Sequence, residues 1–147
     1  MRHRSKGAVL LLAALMASCG YFMAGTWEDD SSNWDRAFGS TKPADVVVTH
    51  SKYWRSAHWS NEFGYFFELA PNGTLKEQLF TKNKLKRVSG EEAATAKRNT
   101  LSDGPDWFAP QSADAYEIWV SVAAPKSNFM VLIDRASGTM FLTDYQL

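Results

Sequence analysis

The stretch from Tyr116 to Leu147 constrains the fold most. It reads Tyr116 to Ala123, a Pro-containing break, Phe129 to Ile133, a second break, and Thr139 to Tyr145. These are three strand-like runs separated by turn residues, at the spacing of an antiparallel meander. The middle run is apolar at every position. Alternation sends Phe129, Val131 and Ile133 to one face and Met130 and Leu132 to the other. A strand apolar on both faces needs cover on both, so it belongs between the other two.

Upstream, Val46-Val-Val-Thr49 is β-branched and short, and Tyr53 to Trp59 carries no clear period. Phe63 to Leu69 is a better strand, with Phe63, Tyr65, Phe67 and Leu69 on one face. Pro71-Asn72-Gly73 marks a turn. Thr74-Leu-Lys-Glu77 then matches a capping box and predicts a helix over 75–82 that ends at Asn83. Ser89 to Glu92 is a second box, opening a short Ala-rich turn through Arg98. Residues 99–110 read as a loop, with Trp107-Phe108 tucked under it as a lid on the core. Asn33 to Gly39 predicts a single helical turn with Trp34, Ala37 and Phe38 on one side and Gly39 as its stop. The expected architecture is α+β: a single antiparallel sheet of four or five strands, with one or two short helices on one face.

The first twenty residues are of another kind. Arg2, Arg4 and Lys6 precede an apolar run, Gly7 to Ala17, then small residues and Cys19. This is the layout of a secretory signal peptide. The run is too short for the ~20 apolar residues that span a bilayer as a helix. Cys19 is the one cysteine of the chain, so no intramolecular disulfide is possible.

Leu15-Met16-Ala17-Ser18-Cys19-Gly20 resembles the lipobox of bacterial lipoproteins, with Met16 where Leu is usual. The resemblance covers residues 1–20. It implies a diacylglyceryl thioether on Cys19, cleavage before it, and acylation of the new amino terminus. It also implies a place in the cell envelope, facing the periplasm or exterior; Gly20 after the cysteine implies the outer membrane if the cell has one. The expected division is a signal peptide over 1–18, the lipidated cysteine and a tether over 19–45, and a small domain over 46–147. Removal of 1–18 leaves 13 basic and 16 acidic side chains, a net charge of −3. That balance gives no field favouring nucleic acid.

Motifs for chemistry are few. His50, His58, Glu62 and Glu68 are the one His/carboxylate grouping, and their spacing matches no zinc motif. A small hydrolase or a ligand- or metal-binding protein using His50, His58 and Glu62 is the alternative reading. There is no nucleophile elbow, no phosphate loop and no cofactor signature. Aromatics are abundant, with nine Phe, five Tyr and six Trp. Trp54, Trp59 and Trp107, with Trp119, are candidates for a platform that stacks on sugars or on a partner's side chains. The leading expectation is a lipid-anchored, non-enzymatic binding domain for a protein or an envelope component, one version being an immunity-type inhibitor.

Overall fold

The computed structural model describes residues 24–57, 62–101, 104–123 and 127–146. The expected signal peptide, Cys19, His58 and Trp59 lie outside the described residues. In chain order the elements are β1 (Gly25–Glu28), α1 (Asn33–Phe38), β2 (Val48–Arg55), β3 (Phe63–Leu69), α2 (Gly73–Lys82), β4 (Leu85–Val88), α3 (Gly90–Leu101), a 3-10 turn (Ala113–Ala115), β5 (Tyr116–Ser121), β6 (Met130–Asp134) and β7 (Met140–Gln146). The strands form one antiparallel sheet in the order β1-β2-β3-β7-β6-β5-β4.

The sheet has seven strands rather than the expected four or five. The two strands beyond five are the four-residue edge strands β1 and β4, while β2 begins in the expected Val46–Thr49 run and continues through Tyr53 to Arg55. β1 and α1 come from residues 19–45, the expected tether.

Strand β6 is buried along its whole length and sits between β5 and β7. Its alternation divides the interior as expected. Phe129, Val131 and Ile133 join Tyr53, Tyr65, Phe67, Leu69 and Leu142 in one core. Met130 and Leu132 join Ile118, Tyr116 and Phe141 in a second core on the opposite face. Helices cover both faces rather than one. α1 and α2 close the first core with Trp34, Phe38, Leu75 and Leu79. α3 and the loop before β5 close the second with Ala93, Ala96, Phe108 and Ala109. A sheet that is apolar on both sides cannot leave one side to water, and the Ala-rich stretch supplies the second cover by extending to Leu101.

The local signals explain the joints. α1 ends where Gly39 turns left-handed at φ 62°, a conformation that costs glycine nothing. Phe108 fills the second core edge-on to Phe66 and Phe141, which makes it the lid residue. Tyr116 pins that loop by accepting the Gln111 N–H on its hydroxyl at 3.0 Å. Helix α2 is capped by Asn72 rather than Thr74. The Asn72 Oδ1 accepts the Leu75 N–H at 2.8 Å, while its amide donates to the Asp45 carbonyl at 2.9 Å. Asn83 ends α2 by donating twice to the Leu79 carbonyl. Among the described residues, no helix is long and apolar enough to cross a membrane.

Candidate functional site

Alternation along β2 sorts the sequence-predicted residues. His50, Lys52 and Trp54 share one face, and Ser51 and Tyr53 the other. Trp54 stands opposite Gly64, and Gly64 opposite Tyr145. Trp54 is 36% exposed. At the other end of β2, His50 stacks on Trp107 at 5.4 Å between ring centroids. Lys52 lies between them and pairs with Glu28 at 3.5 Å. Trp54 and His50 are thus about 13 Å apart on one face. The structure brings Trp107 to this face beside His50 and places Trp119 on the opposite face, edge-on to Phe80 at 4.6 Å.

His50 and Glu62 do not meet. His50 pairs with Glu68 across the β2–β3 hairpin, and Glu62 precedes Phe63 at the opposite end of it. Six residues of strand put roughly 20 Å between them. His50 instead faces Asp29, with Nδ1 3.3 Å from Oδ2. Among the described residues, no group of three His, Cys, Asp or Glu side chains is placed to hold a metal ion.

A second feature is concave. A cleft of about 420 Å³ opens between the β1–α1 turn and the segment leading into β2. Its floor is Trp34, Val46 and Phe67, all buried. Its polar rim is Asp29, Asp30, Ser31, Lys42 and Thr49, with Val47 standing 59% exposed beside them.

The rim is built by short-range bonds. Asp29 ends β1 in the left-handed region at φ 49°, which Asp tolerates better than most residues. There its N–H donates to the Ser51 carbonyl at 2.7 Å, and its Oδ1 accepts the Ser51 N–H at 2.8 Å. That backbone N–H, ahead of His50, holds the Asp29 carboxyl below the ordinary carboxylate range despite some burial. Asp30 is lowered chiefly by the Arg36 guanidinium, 3.0 Å away, and by the Ser32 N–H. Lys42 folds back to donate to the carbonyls of Pro43 and Val46. Asn33, fully buried, ties the turn to the sheet through the Trp27 carbonyl and the Ser51 hydroxyl, each at 3.0 Å.

No sequence pattern announces this cleft. Glu28-Asp29-Asp30 reads as a solvated acidic group, and its partners stand up to 38 positions away at Phe67. The one local clue is the run of Asp, Ser and Asn before Trp34, residues that hydrogen-bond their own backbone in turns. Compared with family models, curated proteins and solved structures, the chain finds no significant match, so the two surfaces rest on their own geometry.

Proposed function

We propose that this chain is a bacterial lipoprotein of the cell envelope, held by acyl groups on Cys19. Its α+β domain binds a protein or an envelope component through the cleft beside α1. The observation that carries the binding site is the cleft itself. Its volume of about 420 Å³ falls in the range of small-molecule and side-chain pockets, and an apolar floor under a few fixed polar groups is their usual make-up. The distance between His50 and Glu62 favours binding over catalysis, since that pair cannot share a proton with one substrate. The outer membrane is the proposed location where the cell has one.

Two measurements test this. Intact mass of the membrane-extracted protein is expected to show a chain beginning at an acylated Cys19; an unmodified thiol or a start elsewhere removes the envelope placement. For the cleft, Ala44→Trp plugs the mouth from an exposed position and leaves the core alone. The wild-type protein, captured from envelope extracts, is expected to retain a partner that the Ala44→Trp protein loses at unchanged thermal stability. Equal retention by both would move the site elsewhere.

A further inference from the structure

We propose that the end of the sheet where the chain enters at Gly25 rests on the lipid bilayer, with Trp54 and Tyr145 set among the headgroups. This rests on the Cys19 anchor proposed above.

The register defines that end. Gly25 lies opposite Arg55, Arg55 opposite Phe63, and Phe63 opposite Gln146. Cys19 is six residues before Gly25. A trans chain spans at most about 3.3–3.6 Å per residue, so the lipid and this strand end are within ~20 Å of each other. The opposite end of β2, at Val48, is about 25 Å farther along the strand. An anchor on so short a leash brings one end of the domain to the membrane and keeps the cleft at the other end facing away.

The near end carries the side chains that a bilayer interface selects. Trp54 and Tyr145 flank Gly64 on one face of the sheet. Each combines an apolar body with a polar tip, the combination enriched at headgroup level. Gly64 is not required by the fold. Its backbone is outside the left-handed region, and an added Cβ would meet Tyr145, Asp144 and Trp54 only at ordinary contact distances of 3.6–3.9 Å. Glycine weakens a strand interior and often marks a close approach from outside. Here its missing side chain leaves open the space between the Trp54 ring and the Tyr145 Cβ.

Charge is distributed in the same sense. Arg55, Lys82 and Lys84 stand at or next to the near end, with Glu62 and the partly buried Asp144. The turns and strand ends at the far end carry Asp29, Asp30, Asp45, Asp114 and Asp134, with Arg36, Lys42 and Arg135. An anionic leaflet attracts the first set and repels the second.

The test uses the acylated chain in mixed phosphatidylcholine–phosphatidylglycerol vesicles. With the Cys19 sulfur blocked by its diacylglyceryl thioether, a cysteine introduced by Gln146→Cys or Val47→Cys is the one free thiol for an environment-sensitive fluorophore. Both positions are exposed, Gln146 at the near end and Val47 at the far end. Aqueous iodide is expected to quench the probe at 146 at least about threefold less than the probe at 47, because lipid covers only the near end. Trp54→Ser is expected to restore iodide access at 146 while the acyl chains keep the protein on the vesicle. Equal quenching at both positions, or protection at 146 that survives Trp54→Ser, overturns the proposal. Protection that rises with protein density at fixed lipid also overturns it and assigns the face to a second copy. Intact mass separates the two readings. An unacylated Cys19 removes both, whereas an acylated chain with equal quenching removes only the docking.

Discussion

Asp144 and Asp29 show how position sets the behaviour of one residue type. Asp144 sits opposite Tyr65 on the buried side of the β3–β7 pair. Burial raises its carboxyl above the ordinary range, against the lowering effect of the Tyr145 N–H that its Oδ1 accepts at 2.9 Å. The folded chain therefore binds this proton more tightly than the unfolded one. Stability contributed by the group falls as pH rises from about 3.9 to its raised value, and the cost is complete above that. Asp144→Asn is expected to raise the melting temperature at neutral pH, with the gain vanishing below about pH 4. Asp29 has the opposite sign. Its lowered carboxyl contributes stability above about pH 3.9 that is lost as pH falls through the lowered value. Asp29→Asn should therefore destabilise at neutral pH and become neutral in strong acid, as read by melting temperature across the titration. Neither role was legible in the chain. Asp144 follows Thr143 in a run that alternates in and out, but whether water reaches it depends on β3. Trp54 was legible as partly exposed, because Lys52, Arg55 and Ser56 surround it. The His50–Trp107 stack was not, because the loop that carries Trp107 is 57 positions away.

At the scale of elements, what could be read was what local chemistry decides. β6 followed from period-2 alternation of an all-apolar run, and its burial on both faces makes a sharp prediction. Leu132→Ala is expected to cost about 2–5 kcal/mol, since a packed core closes only partly around the lost side chain. A loss under about 0.5 kcal/mol in urea denaturation would refute that burial. The start of α2 was readable to within two residues, and the error has a physical cause. Asn72 and Thr74 are both capping residues ahead of an apolar position. Asn72 takes the role because its Oδ1 reaches Leu75 while its amide also holds Asp45, a tertiary contact that no local pattern contains. Asn72→Ala should therefore cost about 0.5–2 kcal/mol, and Thr74→Ala, on an exposed side chain, less than about 0.5. Equal losses from the two in the same denaturation experiment would restore Thr74 as the cap. β1 and β4 were missed because four residues give too little periodicity, and β4 is half basic.

For the whole molecule, the consequence of β1 and α1 is that residues 25–38 pack as part of the sheet and its first core, upstream of Val46. Among the described residues β1 pairs only with β2, and α1 lies over the first core. Trp34 and Phe38 contact each other at 4.4 Å between centroids, and both meet Phe67. Phe38 also meets Tyr65 at 5.2 Å. Asn33 joins α1, β1 and β2 through two buried or part-buried hydrogen bonds. Removing residues 24–45 would withdraw the buried Trp34, which contributes about 1.5–3 kcal/mol, and the partly buried Phe38, which contributes less, and expose Tyr53, Tyr65 and Phe67 beneath them. It would also turn β2 into an edge with unpaired backbone groups. The sum is comparable with the ~5–15 kcal/mol net stability of an ordinary domain. A chain beginning at Ala24 is therefore expected to melt in the same cooperative transition as one beginning at Cys19. A chain beginning at Val46 should show no cooperative loss of near-ultraviolet circular dichroism, or should melt far below the other two. If the Val46 chain melts like the Ala24 chain, residues 24–45 are a tether after all. The leash from Cys19 then lengthens from six residues to 27, to Val46. A leash of that length no longer holds the Trp54 end of the sheet at the membrane.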